Sequence, residues 1–155
     1  MGAATSGQTS IHIEASPEAV YDLVSEMPRM GEWSPECCRC EWIDGDGPSV
    51  GAEFKGYNRA GPMRWTAEGR VIAAKRGDEF AFVTLYKGRR EETRWRYRFE
   101  VSGAGTEVTE SYQSVWAPWY IRLANLLLPR DRQLRQGMEQ TLQRIKRAAE
   151  GGRCQ

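Results

Sequence analysis

Two long segments in the second half of the chain, residues 92–102 and 106–116, alternate between apolar or aromatic side chains and polar or charged ones. Alternation with a period of two is typical of antiparallel strands that cover one face and expose the other. The covered face of both segments carries large rings, and in the second segment it also carries a carboxylate, Glu110. Strands of roughly ten residues exceed the usual length. We therefore expect a curved sheet that wraps around a hollow.

The remaining pattern predicts further strands and three helical segments. Ser16 and Pro17 match the start of a short helix, since serine caps a first turn and proline fits the first helical position. A second short helix is expected at residues 30–33, and one long amphipathic helix at about residues 130–150. The other strands are expected at residues 9–14, 37–43, 52–58, 64–74 and 79–86. This order predicts an α+β fold in which a seven-stranded antiparallel sheet grips the C-terminal helix.

Composition restricts the class of protein. The 155 residues fit one domain, which we place at residues 9–150 between a flexible N-terminal tail (1–8) and a C-terminal tail (151–155). The 22 basic and 21 acidic side chains nearly cancel, so no global field attracts nucleic acid or an anionic membrane. No apolar run approaches the roughly 20 residues that span a bilayer, and we expect no stable membrane insertion.

Cysteine and histidine usage predicts neither a metal site nor a nucleophilic couple. Cys37, Cys38 and Cys40 are close neighbours on one predicted strand, where disulfides between them are not expected, and Cys154 lies far along the chain. His12 is the only histidine, so no second ligand cluster is present. We expect no metal, no cofactor, reduced thiols and a cytoplasmic location.

Several stretches of the chain resemble one superfamily of known proteins. They are Ala15–Tyr21, Met30–Glu36, Val50–Asn58, Trp95–Glu100 and Gly105–Tyr112. In this order they resemble the START/SRPBCC superfamily, and more narrowly its polyketide cyclase/dehydrase and lipid-transport-like branch in actinobacteria. The resemblance implies a helix-grip fold around a hydrophobic ligand, which in different members is a lipid, a hormone, a polyketide or a quinone. Some members are enzymes, but the resemblance assigns no catalytic residue to a position in this chain.

Inward-facing positions of the strands and of the last helix form the candidate ligand-binding site. Ligand pockets are mostly apolar with a few polar groups, and this set has that character. The small residues Gly56, Ala67 and Gly69 on the same face predict an enclosed cavity of roughly a few hundred Å³. The predicted ligand-binding residues are Trp33, Phe54, Asn58, Trp65, Phe82, Trp95, Tyr97, Phe99, Glu110, Tyr112, Met138 and Leu142.

Glu110 and Tyr112 are the candidate catalytic residues within this set. A carboxylate on a covered face loses hydration, which favours its neutral form unless a partner compensates. Glu110 therefore either anchors a ligand, or acts as a general acid or base with a tyrosine, or forms a structural pair with an arginine, Tyr97 or Tyr112. Asn58 has an alternative role as a turn cap. Trp33 has an alternative role in pinning its short helix to the sheet.

Three functions stay open at this point. The first is binding of a hydrophobic small molecule, the second is a polyketide cyclase or aromatase reaction, and the third is a toxin-like interaction that acts on translation. The basic stripe Arg94, Arg96 and Arg98 is interpreted as a solvated surface paired with Glu107 across the hairpin. The apolar segment 119–128 between two prolines predicts a separable, sticky surface in a monomer or weak homodimer.

Overall fold

The computed structural model describes residues 6–127 and 129–151, and its elements follow the predicted order. Within these ranges the helices are α1 (Pro17–Ser25), α2 (Met30–Trp33), α3 (Trp119–Leu127) and α4 (Arg130–Gly151), with a 3₁₀ turn at Met27–Arg29. The strands are β1 (Ser6–Ile13), β2 (Cys37–Asp44), β3 (Glu53–Ala60), β4 (Met63–Lys75), β5 (Glu79–Tyr86), β6 (Arg90–Ser102) and β7 (Gly105–Ser114).

The first strand is longer than the sequence pattern predicts. It begins at Ser6 rather than Thr9, so residues 6–8, which we expected in a flexible tail, pair with β7. Gly7 fits there because a side chain would collide with a ring: a Cβ on Gly7 would lie 2.9 Å from Cε1 of Tyr112. At the other end Gly151 belongs to α4 rather than to the tail. The rest of both predicted tails, residues 1–5 and 152–155, lies outside the described residues.

The seven strands form one antiparallel sheet in the order β1-β7-β6-β5-β4-β3-β2. All neighbours except β1 and β7 are consecutive in sequence. The register of the central hairpin aligns Tyr97 with Glu110 and Trp95 with Tyr112. Because side chains on paired strands share a face at aligned positions, these four residues lie side by side on the concave face.

The C-terminal helix lies on this concave face, as the fold prediction requires. Met138, Leu142 and Ile145 of α4 are buried, and the last two pack in one apolar cluster with Ile13 and Val108 of the sheet. The contacts of α4 fall mainly on β1 and on the short helices α1 and α2. Those short helices therefore close one side of the same interior.

Strand β2 contains a β-bulge that the sequence pattern does not reveal. The pairing with β3 shifts between Cys37 and Arg39, so that Cys38 is the additional residue. An extra residue reverses the alternation, and Cys37 and Cys40 consequently share the buried face while Cys38 is exposed.

The convex face carries the basic stripe of β6, but its acidic partners differ from the prediction. Arg96 is bound to Glu79 of β5 at 2.6 Å, and Arg94 is bound to Glu91 at 2.9 Å. Glu107, the expected partner, instead lies opposite Glu100 in the hairpin. The stripe is thus charge-paired as expected, through the neighbouring strand and through a residue of its own strand.

None of the described helices has both the length and the apolar character needed to cross a membrane.

Candidate functional site

A buried pair of polar side chains lies on the concave face, on the paired strands β6 and β7. Glu110 is 3% exposed and Tyr97 is 2% exposed. The hydroxyl of Tyr97 donates a hydrogen bond of 2.8 Å to Oε1 of Glu110. The other carboxyl oxygen, Oε2, is buried and has no hydrogen-bond partner among the described residues.

Burial controls the charge of this pair. Desolvation raises the pKa of Glu110 to about 8, although the hydrogen bond from Tyr97 acts in the opposite direction. Desolvation, followed by the nearby Glu110, also raises the pKa of the Tyr97 hydroxyl well above its usual value. At neutral pH the pair therefore holds both protons, and a neutral carboxyl group has an O–H that can donate a hydrogen bond.

Tyr112 uses its hydroxyl in a different place. That hydroxyl donates to Oδ1 of Asp131 at 3.1 Å, in the first turn of α4. Burial, together with Asp131, raises the pKa of Tyr112 to about 12. The tyrosine bound to Glu110 is thus Tyr97, while Tyr112 ties the sheet to the start of α4. A catalytic role of Glu110 and Tyr112 stays a prediction.

The aromatic side chains of the predicted site pack against one another in part. The rings of Phe54 and Phe82 meet edge to face with 5.2 Å between centroids, and those of Trp95 and Tyr112 are 5.5 Å apart. Phe54 also fills the space beside Gly69, where a Cβ would overlap its ring. The Phe54 ring therefore occupies part of the cavity that Gly69 predicts.

More room is left beside Gly56 than beside Gly69. A Cβ on Gly56 would meet its nearest neighbours, which include Oδ1 of Asn58 and Sγ of Cys37, at 3.8 Å. That distance is an ordinary van der Waals contact. The interior thus tolerates added atoms next to the bulge of β2.

Two open depressions of about 520 and 650 Å³ lie elsewhere on the molecule. The first lies beside α1, around Tyr21, Trp42 and Arg76. The second is a polar groove between β1 and α4. Neither includes any of the predicted ligand-binding residues, and the enclosed cavity between sheet and helix stays a prediction.

The surroundings of Trp33 are compatible with both of its predicted roles, ligand binding and attachment of α2 to the sheet. Its backbone carbonyl accepts a hydrogen bond of 3.2 Å from Arg144 of α4, and the guanidinium of Arg29 lies 4.9 Å from its ring centre. These contacts pin α2 to its surroundings. The indole Nε1–H is buried and has no hydrogen-bond partner among the described residues. It can therefore donate a hydrogen bond to another group, such as a ligand.

The remaining predicted residues divide into an interior and a rim. Phe99, Met138 and Leu142 are buried. Asn58, Trp65 and Trp95 are half-buried, and Asn58 lies opposite Trp65 in the β3–β4 pair. Near this rim Arg130 of α4 binds Glu36 at 2.8 Å, which joins the start of α4 to the residue before β2.

Cys37 and Cys40 are interior residues that sequence reasoning missed. Hydrogen bonding with Cys40 lowers the pKa of Cys37, and the same interaction together with burial raises the pKa of Cys40. Their common face depends on the bulge at Cys38, for which a single sequence provides no signal. Across residues 6–127 and 129–151, no group of three or more His, Cys, Asp or Glu side chains is placed to hold a metal ion.

The fold defines the class of protein as a helix-grip member of the START/SRPBCC superfamily. The sequence matches the family model for polyketide cyclase / dehydrase and lipid transport over residues 4–150. The protein therefore belongs to that family, as the resemblance in the sequence implies. Among curated proteins none matches the chain.

Solved structures extend this relationship. The Polyketide_cyc-like protein Cgl2372 from Corynebacterium glutamicum is 31% identical, with a TM-score of 0.66 over 97% of this chain and 94% of that one. The di-domain ARO/CYC StfQ from the steffimycin biosynthetic pathway is 14% identical, with a TM-score of 0.75 over 96% of this chain and 51% of that one. Protein NE0264 from Nitrosomonas europaea is 11% identical, with a TM-score of 0.72 over 97% of both chains. The last two are similar in fold alone.

Proposed function

We propose that this protein binds a hydrophobic small molecule of the lipid or polyketide class between the concave face and α4. In this proposal the neutral carboxyl group of Glu110 donates a hydrogen bond to a carbonyl or hydroxyl oxygen of the ligand. The observation that carries the proposal is the buried, unpartnered Oε2 of Glu110.

The three described cysteines form no disulfide bond, which supports a location in the reducing cytoplasm.

The energetics of burial favour a ligand as the missing partner. A buried polar group without a hydrogen bond costs about 1–3 kcal/mol, and such groups are rare in native proteins. Glu110 and Trp33 both leave an atom of this kind in the interior. A mostly apolar ligand with an oxygen atom would cover the aromatic residues and complete the hydrogen bond of Glu110.

Paired ligands and paired variants test the role of Glu110. Anthraquinone and anthracene have similar rings, but only anthraquinone has carbonyl oxygens. We expect Glu110→Met to weaken binding of anthraquinone at least tenfold while binding of anthracene changes little. The variant removes the donor to the ligand, and the loss of the acceptor for Tyr97 affects the complexes with both ligands alike. Glu107→Met, on the same strand but the opposite face, is the matched control and should bind both ligands like the wild type.

Fluorescence titration of the tryptophans measures both affinities, and native mass spectrometry of protein from its own host identifies a retained ligand. Melting temperatures of both variants show whether the fold is intact. The proposal fails if the wild type binds neither ligand saturably and retains no small molecule. It also fails if Glu110→Met lowers the affinity for both ligands equally.

A second candidate function is a cyclase reaction, which the Tyr97–Glu110 hydrogen bond favours. A carboxyl group whose pKa is about 8 is ionised in small part at neutral pH. Its carboxylate form can take the acidic proton of a carbonyl compound, which leaves an enolate, and the carboxylic acid so formed can return a proton to the carbon atom. The similarity in fold to the ARO/CYC protein StfQ agrees with this option. We expect an enzyme of this type to exchange the acidic methylene protons of an aromatic 1,3-diketone with D₂O faster than buffer does. NMR would show this exchange, and Glu110→Gln should abolish it.

A further inference from the structure

Helix α3 exposes the face that a helix usually buries. None of its nine residues is buried. Its apolar stripe consists of Trp119, Leu123, Leu126 and Leu127, which share one side at helical spacing. These side chains are 74%, 53%, 82% and 81% exposed. A stripe of this kind normally faces a core, so its exposure needs an explanation. Leu128, part of the apolar segment predicted from the sequence, lies outside the described residues.

A few contacts beside the apolar stripe link the helix to the sheet. The hydroxyls of Tyr120 and Tyr86 are 2.9 Å apart, and Ala124, one turn further, is half-buried. Just before the helix, the backbone N–H groups of Val115 and Trp116 donate to the carbonyl of Glu92. These contacts hold α3 at one end of the sheet with the apolar stripe directed outward.

Positive side chains lie on α3 itself and on the β5–β6 turn, which is linked to α3 through Tyr86 and Tyr120. Arg122 is exposed within α3, and Lys87, Arg89 and Arg90 follow Tyr86 at the turn between β5 and β6. The guanidinium of Arg90 lies 4.0 Å from the centre of the Trp116 ring, and the ammonium of Lys87 lies 5.4 Å from that of Tyr86. The chain as a whole has a net charge of only +1, so this basic rim is a local feature.

This combination of charges and apolar groups decides between two occupants of the stripe. A symmetric contact between two copies would bring the same surface of both copies together, and the basic side chains of both copies would then share one interface at a cost in repulsion. An anionic lipid surface complements both parts, since lipid tails accept the stripe and phosphate groups attract the rim. Tryptophan and tyrosine are also enriched where a protein meets the boundary of a bilayer.

We propose that α3 is an interfacial helix that docks this protein on the surface of an anionic membrane. The apolar stripe enters the boundary between headgroups and acyl chains, and Lys87, Arg89, Arg90 and Arg122 contact the phosphate groups. Docking requires no ligand in the interior and is independent of Glu110. If the proposed binding of a hydrophobic ligand holds as well, α3 would bring the edge of the ligand-binding site near Tyr112 and Arg130 close to the lipid.

Vesicle sedimentation of the full chain tests this proposal. Phosphatidylcholine vesicles that contain phosphatidylglycerol should bind the wild type at least tenfold more strongly than pure phosphatidylcholine, and 0.5 M salt (about a 4 Å screening length) should weaken the binding. The double variant Leu126→Glu/Leu127→Glu should lose at least tenfold in partition coefficient. Val101→Glu is the matched control, because Val101 is 77% exposed at the other end of β6, and it should bind like the wild type.

Two outcomes would overturn the proposal. One is equal vesicle binding by the wild type and the double variant. The other is a wild type that ignores both kinds of vesicle but forms dimers in sedimentation velocity, with dimers lost in the double variant, which would make α3 a contact between copies. A Glu110→Met variant that binds anionic vesicles normally but not anthraquinone would separate this proposal from the ligand-binding one.

Discussion

The interior around Glu110 and the surface of α3 depart from the usual distribution of polarity in opposite directions. Glu110 places a carboxyl group where the sheet otherwise has aromatic rings, and α3 places leucines and a tryptophan in water. Buried polar groups and exposed apolar patches are the informative exceptions to the rule that apolar residues lie inside. Both exceptions are accounted for if each region has a partner that the isolated chain lacks.

The two regions differ in how the protein tolerates the exception. Glu110 remains in the interior by holding a proton and one hydrogen bond from Tyr97. No such adjustment is open to α3, because an apolar side chain cannot change its polarity. The state of Glu110 therefore depends on pH, whereas the state of the exposed stripe depends on whether a binding partner is present.

Truncation of a leucine should show the largest difference between the regions. Leu142 of α4 is 1% exposed and Leu126 of α3 is 82% exposed. We expect Leu142→Ala to lower the free energy of unfolding by about 2–5 kcal/mol, because it leaves a cavity. Leu126→Ala should change it by about 0.5 kcal/mol or less. Urea denaturation measures both, and a cost above about 2 kcal/mol for Leu126→Ala would mean that α3 belongs to the core.

The pH dependence of stability should show an effect of similar size. The pKa of Glu110 is about 8 in the folded protein and has the ordinary value of 4.5 in a solvated chain. Between these values the folded state holds a proton that the unfolded state has lost. Stability should therefore fall as pH rises from 4.5 to 8, by up to about 1.4 kcal/mol per pH unit from this one group.

Glu110→Gln isolates this contribution, since glutamine cannot ionise and can still accept from Tyr97. The difference in unfolding free energy between Glu110→Gln and the wild type should grow with pH and level off above about pH 8. Glu107→Gln, a change on the opposite face of β7, should keep the fall in stability that the wild type shows between about pH 5 and pH 8. A difference that is constant from pH 5 to pH 9 would show that Glu110 is ionised in the folded protein at neutral pH.

Local patterns in the sequence were sufficient to predict the sheet and the inward position of Glu110. Alternation with a period of two depends only on neighbours in the chain, and the short turn between β6 and β7 sets the register that aligns Glu110 with Tyr97. The long helix was predictable for the same reason, because its spacing of apolar residues is local.

Features that depend on packing could not be predicted in this way. The bulge at Cys38 brings Cys37 and Cys40 to one face, and the Phe54 ring occupies the space that Gly69 appeared to leave open. The partner of Arg96 is Glu79 on the adjacent strand rather than Glu107 in the hairpin. Each of these results from contacts between segments that are distant in sequence, whereas composition alone predicted that α3 is apolar but not which side faces water.

The smallest expected difference between the two regions is in the cost of removing a single tyrosine hydroxyl. Tyr97→Phe removes the hydrogen bond to Glu110 and leaves both carboxyl oxygens buried without a partner. We expect a loss of about 1–3 kcal/mol in the free energy of unfolding, and a further rise in the pKa of Glu110, because the hydrogen bond from Tyr97 lowers that pKa. Tyr86→Phe is the matched variant: it removes the exposed hydrogen bond to Tyr120 and should cost about 0.5 kcal/mol or less.

Denaturation curves of the two phenylalanine variants at pH 6 and pH 9 would measure these differences. In Tyr97→Phe the window in which stability falls with pH should extend above about pH 8, because the folded carboxyl group keeps its proton to a higher pH. Tyr86→Phe should retain the pH dependence of the wild type, since its hydroxyl has no contact with Glu110. Equal costs for the two variants would contradict the contrast, because a buried hydrogen bond to an otherwise unpartnered carboxyl group should be worth more than an exposed bond between two hydroxyls.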